Sequence, residues 1–526
     1  MIRALLVAPP LPERSYPGKF MGLDYLAAAL MAHKHNVEIL DLDICYVRKK
    51  DVLQEYKAKL DEFQPQLVGI TNMSIQNDLA NYIAWVTKQV LPEAIVVKGG
   101  FHEITGYMYT LPLHHDYVDA CVVGEGEIGI QQIAKAIDKG EWDTKKAEIP
   151  GVAYWDGSKP VLTTGHREEV DPNFLMPARL NWFPEYNFRV LGNRKTGQMM
   201  TVRGCPWECA FCSEAFFPSR THWRDLGNII KELDLLKKQR YEAIYFDDST
   251  FTLKPDWLIE LIKEVHKRGF IWGCNTRVDA VQKELVKYMG ESGCVYLFCG
   301  VESLVPEILR AMNKTHKPQH YLECVPRVYR WLREARISPS VFLIFGNARM
   351  MPDGTLTPER WEDVEFTIKN AIELDTDYIS MNILRFLPEV AFSHLPHYAP
   401  IRLTGQEPVH AGYYDMKWYM LKGQNDLRSS HPIYRCFEGS RSVNPGFATP
   451  EYVYAIMQRA IELVNTHNLN SSRQAKIVVD HRAHEFFHKE RIGGVIQYSI
   501  PSFDKIPAEV EKIPLLEEWR QIIMQA

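Results

Sequence analysis

Between Thr201 and Phe217 the chain reads TVRGCPWECAFCSEAFF, which puts Cys205, Cys209 and Cys212 on one short segment as C-x3-C-x2-C. Thiolates bind soft metals, and a group this tight marks metal or redox chemistry when the other cysteines are scattered. Three thiolates can hold three irons of a cubane 4Fe–4S cluster, leaving the fourth iron open to a small molecule, as a catalytic cluster requires. Structural zinc is the alternative, but it wants four ligands, often from two C-x2-C knuckles, and the sequence has no second knuckle. Trp207, Phe211, Phe216 and Phe217 surround the cysteines, and such apolar neighbours shield a reduced cluster from water.

A second pattern competes. His484, Glu485 and His488 spell H-E-x-x-H, two histidines one helical turn apart, as in zinc metallopeptidases. The extended form is absent, because HEFFHKERIGG places its glycine wrongly, so Glu509 or Glu511 would have to complete a site. The same stretch also reads as a basic, aromatic helix on the surface or along a substrate cavity. There Arg428, Arg435, Arg441, Arg482 and Lys489 would meet an anionic substrate, unless they form a solvated face.

The elements that must position these groups follow from hydrophobic periodicity. A chain of 526 residues is too long for one core. Over residues 1–135, short apolar runs such as RALLVA, LVGIT and AIVVKGG alternate with amphipathic helical stretches, the pattern of a parallel sheet covered on both faces. Ligands of such sheets bind at the carboxyl ends of the strands. Gly99, Gly100, Phe101, His102 and Glu103 fall there, as do Gly124, Glu125, Gly126 and Glu127. Residues 136–195 carry turn signals and read as a connector that wraps one domain onto the next. From 196 to 390 six strand–helix repeats, from MMTVRG to TDYISMNILRF, suit a partial or complete (β/α) barrel. Residues 391–526 read as a C-terminal, mostly helical domain capping the barrel mouth, with a helix near 450–467.

Composition narrows the function. The ordinary apolar content of 46% excludes a disordered chain, and a net charge of −5 gives no electrostatic reason to expect nucleic acid. No apolar run approaches a membrane span and no secretory segment opens the chain, so a cytoplasmic protein is expected.

The cysteine segment, with Phe211 just before the last thiol, resembles the signature of the radical S-adenosylmethionine superfamily. DDSTFT (247–252), NTRVD (275–279), GCVYLFCGVES (293–303) and AMNK (311–314) are similar to its cobalamin-binding branch, and MGLDYLAAAL, KGGFHEI and VDACVVGEGE resemble that branch's Rossmann-like cobalamin (B12) domain. The resemblance covers about residues 1–390. It implies an iron–sulfur enzyme whose open iron chelates S-adenosylmethionine and whose cluster cleaves it to methionine and a 5′-deoxyadenosyl radical. Phe211, Asp247, Asp248, Arg277 and Glu302 are then the S-adenosylmethionine residues. The plainer reading is a helix cap for Asp247 and Asp248 and a solvated ion pair for Arg277 and Glu302. FGNARMMPDGT replaces the usual glycine-rich loop after the fifth strand.

The best-known B12 domains carry D-x-H-x-x-G, whose histidine ligates cobalt from below. Here DLDICY (41–46) begins with Asp but has no histidine where that ligand belongs, so the resemblance implies cobalamin without it. The segment holding Asn72 and Met73 then faces the corrin, with Gly99, Gly100, Phe101, His102, Gly124, Glu125 and Gly126 around the cofactor. The implied reaction is transfer of a methyl group from methylcobalamin to a carbon of a small-molecule or peptide substrate, with a flavodoxin- or ferredoxin-type reductant. Ring contraction, cyclisation or oxidation with the same cofactors is the alternative. A B12 sensor whose cluster has lost catalysis belongs to another class, and retained DDSTF and GVES argue against it.

Overall fold

The computed structural model describes residues 1–10, 19–48, 50–73, 76–164, 170–216 and 221–384, and beyond these only 459, 463, 476–479, 488–492 and 495–499. The first apolar runs form parallel strands β1 (Arg3–Ala8), β2 (Asn36–Asp41), β3 (Leu67–Thr71), β4 (Ile95–Gly99) and β5 (Ala120–Val122), side by side in the order β2-β1-β3-β4-β5. Alternate residues face opposite layers, so both faces of each central strand are apolar. Leu5, Val7, Val68 and Ile70 meet Tyr56, Leu60 and Ala84 on one side. Leu6, Leu67 and Val97 meet Leu23, Leu30 and Ile133 on the other. The strand order reverses between β1 and β3, where sheets of this kind open a ligand crevice.

Two further strands, β6 (Val152–Trp155) and β7 (Pro160–Leu162), add antiparallel to the β5 edge. The segment expected to be a connector from residue 136 therefore begins as part of the first sheet. Pro160 is tolerated because β7 is the outermost strand. Further on, Arg179 and Arg224 enclose the buried Glu232, and Lys19 pairs with Asp24 at 2.6 Å while its backbone N–H donates to Gln198 at 2.7 Å. These buried polar contacts join the two halves of the molecule.

The second sheet contains β8 (Thr196–Met199), β11 (Ala243–Phe246), β12 (Ile271–Thr276), β13 (Cys294–Glu302), β14 (Ser338–Phe345) and β17 (Tyr378–Ile383), all parallel and in sequence order. A seventh parallel strand, β18 (Lys476–Val479), lies beside β17. Among the described residues β8 and β18 are the edges of this sheet, which makes a partial barrel. Ile244, Phe246, Trp272, Leu297, Val341 and Ile379 point into the surrounding helical layer and form the largest core. The MMTVRG stretch does not run as one strand. It breaks after Met199, and Val202–Arg203 (β9) turns to pair antiparallel with His222–Trp223 (β10), framing the cysteine segment. The cause is Asp248, whose carboxylate accepts the backbone N–H groups of Thr201 and Val202 at 2.6 and 2.9 Å and so holds them away from the parallel ladder. After β14 a hairpin of Ala348–Met350 (β15) and Leu356–Pro358 (β16) stands in place of a glycine-rich loop.

The helix expected across 484–488 is not what His488 shows: it opens a strand, His488–Ile492 (β19), paired antiparallel with Val495–Ser499 (β20) and including Lys489. Extended backbone cannot present His488 one helical turn from a partner, so the H-E-x-x-H reading loses its premise. Of the described C-terminal residues, 459 and 463 are helical, within the helix expected near 450–467, and the others belong to β18, β19 and β20. His484, Glu485, Glu509, Glu511, Arg428, Arg435, Arg441, Arg482 and Phe217 lie outside the described residues. Among the described residues no helix is long and apolar enough to cross a membrane.

Candidate functional site

The cysteine segment leaves β9 and is clamped from the far side of the barrel by AMNK, just after a short helix that follows β13. The Ala210 N–H donates to the Met312 carbonyl at 2.8 Å, and the Asn313 amide donates to the Glu208 carbonyl at 2.8 Å. Arg277, at the end of β12, donates to the Lys314 carbonyl at 2.7 Å and to Asp279 at 2.9 and 3.0 Å. The same guanidinium sits 3.4 Å from the Cys209 sulfur and 4.3 Å from the centre of the Trp207 ring. Arg277 is therefore a brace for the thiol segment, neither a solvated ion pair nor a group turned toward open space. Cys209 is buried, and Cys205 and Cys212 are half-buried. Burial pushes the Cys212 thiol up to about 12, so a metal bound there would have to displace the proton. Among the described residues no three His, Cys, Asp or Glu side chains meet around a single point as one metal ion demands. Three thiols that each bind a different iron of a cluster need not meet, so the donor set fits a cluster better than zinc.

Glu302 ends β13 at φ +68°, a left-handed conformation that costs a non-glycine residue about 1–2 kcal/mol. Its Oε1 accepts from Lys314 at 2.8 Å, and both side chains are buried. Its Oε2 is buried with no hydrogen-bond donor among the described residues. Gly300 makes room for this pair, since a Cβ there would lie 2.5 Å from Glu302 Oε1. Phe211 packs beside Ala210, Met312 and Ile344, and its ring centre is 5.9 Å from the Lys314 ammonium.

The two strand-end aspartates differ. Asp247 is exposed and accepts from Gln198 at 3.3 Å. Asp248 is fully engaged, taking the Thr201 hydroxyl at 2.6 Å besides its two backbone donors, and positions the cysteine segment without facing a ligand. Burial pushes the Asp248 carboxyl up to about 6, from 3.8 in the free residue. A carboxyl raised in the folded state ionises first in the unfolded chain, so the protein loses stability as pH climbs from 3.8 to about 6. Asp248→Asn keeps the acceptor and offers its amide to the Thr201 hydroxyl. The variant's advantage over wild type should grow across that window and level off near about 2–3 kcal/mol, read from urea midpoints at acid and neutral pH.

In the first domain a cavity of about 170 Å³ opens at the carboxyl ends of β3, β4 and β5, walled by Leu26, Gly69, Gly99, Val122, Glu127 and Ile130. Its glycines leave space where side chains would stand, and its size suits one ring system rather than a whole corrin. Gly100 has φ +111°, and a Cβ there would lie 2.7 Å from the Asn72 carbonyl oxygen. Gly100→Ala is expected to cost about 2 kcal/mol or more and to weaken ligand binding at this rim, read by chemical denaturation and by cobalamin titration. The Asn72 amide is spent inside the domain, donating to Asn77 at 2.9 Å and Glu103 at 2.7 Å in a buried network with Lys98. Met73 and Phe101 are half-buried beside it. His102 is buried, and burial pulls its imidazole down to about 4, so it is neutral. Asp41 of DLDICY caps the following helix, accepting from the Asp43 N–H at 2.9 Å.

The cavity rim meets the cysteine segment. Arg203 of β9 reaches Glu127 at 2.5 Å and Glu125 at 3.4 Å, across the face of Tyr25. Gly124 and Gly126 belong to the same turn. Neither Arg203 nor Lys314 stands out in the sequence by its own type. An arginine two residues before Cys205 and a lysine closing AMNK are the signals the sequence carries for them.

A family model described as the Radical SAM superfamily matches residues 199–347, and one described as a B12 binding domain matches residues 13–134. The chain is 29% identical over 402 residues to an uncharacterized methyltransferase of Pyrococcus horikoshii, covering 73% of this chain and 80% of that protein. It is 29% identical over 306 residues to the anaerobic magnesium-protoporphyrin IX monomethyl ester cyclase of Cereibacter sphaeroides. That match covers 56% of this chain and only 48% of the cyclase, about half its length. Among solved structures, the radical S-adenosylmethionine methyltransferase TsrM of Kitasatospora setae, bound to tryptophan and an S-adenosylmethionine analogue, superposes with a TM-score of 0.60 at 22% identity. The superposition covers 74% of this chain and 75% of TsrM, a likeness of fold.

Proposed function

Because the chain belongs to the cobalamin-binding radical S-adenosylmethionine enzymes, we propose that it is a methyltransferase acting on a carbon of a small-molecule or peptide substrate. The observation that carries this reading is the contact of Arg203 with Glu125 and Glu127, which sets the cavity rim of the first domain against the cysteine segment of the second. A methyl carrier and a radical generator must work on one substrate, and this chain holds their two sites side by side.

Cys205, Cys209 and Cys212 hold the 4Fe–4S cluster, and the cavity with Gly99, Gly100, Gly124 and Gly126 takes part of the cobalamin. When bound, the cluster supplies one electron to cleave S-adenosylmethionine, and cobalamin carries the methyl group. The protein's own residues bind and orient. The unsatisfied Glu302 Oε2 accepts from an amino or hydroxyl group of S-adenosylmethionine, Phe211 packs along it, and Asp247 lies at the rim. Arg277 and Asp248 hold the thiol segment in place. Electrons come from a flavodoxin- or ferredoxin-type reductant.

The test is to incubate the reconstituted protein anaerobically with S-adenosylmethionine labelled in its methyl group, reductant and candidate substrates. Label in a product carbon supports the proposal. The cyclase relative favours a second reading, a non-methylating radical reaction. Substrate consumption with 5′-deoxyadenosine and no label in the product would establish that instead.

A further inference from the structure

Arg203 stands two residues before Cys205, yet its side chain leaves the barrel. Its two terminal nitrogens contact Glu127 and Glu125, and its guanidinium lies 4.9 Å from the centre of the Tyr25 ring. All three side chains of this ion cluster are about nine-tenths buried, so solvent screens the contact little. Glu127 also lines the cavity, and Gly124 and Gly126 of the same turn form its edge. One turn therefore does two things: it shapes the wall of the cavity and grips the residue from which the thiol segment starts. The remaining tethers of that segment, from Asp248 and AMNK, come from within the barrel.

We propose that Arg203 is a positioning residue that couples the two cofactor sites, so that cobalamin in the cavity and a seated cluster in the cysteine segment favour each other. This rests on the cofactor assignment above. A ligand that fixes the turn fixes both carboxylates, and through them the peptide that leads into Cys205. By linkage, a seated cluster must then tighten cobalamin binding by the same factor.

The experiment uses the full chain prepared anaerobically with and without its cluster, each form titrated with hydroxocobalamin. In the wild type the cluster-loaded form should bind at least about 5-fold more tightly than the cluster-free form. Arg203→Gln should bring that ratio close to one while iron content and hydroxocobalamin binding to the cluster-free form stay at wild-type values. A residue needed only for folding would lower those two quantities instead. Should Arg203→Gln not fold, Glu127→Gln breaks the same contact from the other side and should lower the ratio likewise. A wild-type ratio of one, or an unchanged ratio in the folded variants, overturns the proposal. Absence of hydroxocobalamin binding in both wild-type forms overturns the cofactor assignment, and the proposal with it.

Discussion

Cys209→Ala is expected to leave a folded protein that binds less than one iron per chain after reconstitution, against about four in the wild type, and that no longer cleaves S-adenosylmethionine. Cys209 is the most enclosed of the three thiols, with the Arg277 guanidinium 3.4 Å away and Lys314 lowering its proton affinity against the burial that raises it. Among the described residues no spare barrel thiol replaces it, because Cys274, Cys294 and Cys299 are buried in the core on the helical side of the sheet. Turnover should fall at least about a thousandfold, since a lost ligand removes the source of the radical rather than weakening a contact. Cys299→Ala is the matched control. It also deletes a buried sulfur but should keep its iron and lose only about 1–2 kcal/mol of stability. Iron analysis, circular dichroism and 5′-deoxyadenosine formation read all three outcomes. A Cys209→Ala variant that retains full iron would sink the assignment of this loop.

Much of the architecture is legible from periodicity because it is dictated locally. RALLVA and LVGIT are strands residue for residue, since each is an apolar run bounded by polar or turn-forming neighbours. MMTVRG misleads because its fate is decided elsewhere: the apolar run is real, but Asp248, some fifty residues on, claims two of its N–H groups. The turn signal DGSKP at 156–160 is likewise read correctly as a turn, yet the strands it joins belong to a sheet whose edge no local pattern announces. Among the site residues, the thiols declare themselves by spacing. The division of labour between Asp247 and Asp248, or the use of Arg277 as a brace, does not, because identical side chains take different roles according to which long-range partner reaches them first. Arg203 is the extreme case, since its partners are some eighty residues away in another domain.

Lys314→Met is the second large effect. It removes the cation 2.8 Å from Glu302 and leaves a buried carboxylate with no other cation partner among the described residues, which costs about 3–5 kcal/mol. The loss should spread, because Glu302 is held in its left-handed conformation by this pairing, and the Lys314 backbone carbonyl anchors the arginine that rests on Cys209. Adding Glu302→Gln to Lys314→Met removes the unpaired charge and is expected to return most of the stability, read as the urea midpoint of the cofactor-free protein. It should not return S-adenosylmethionine cleavage, because a neutral amide is a weaker acceptor than the buried Glu302 Oε2. The double variant therefore separates two roles that the single variant confounds. Recovery of both stability and cleavage would mean that the pair only supports the fold, and Glu302 would leave the list of ligand-binding groups.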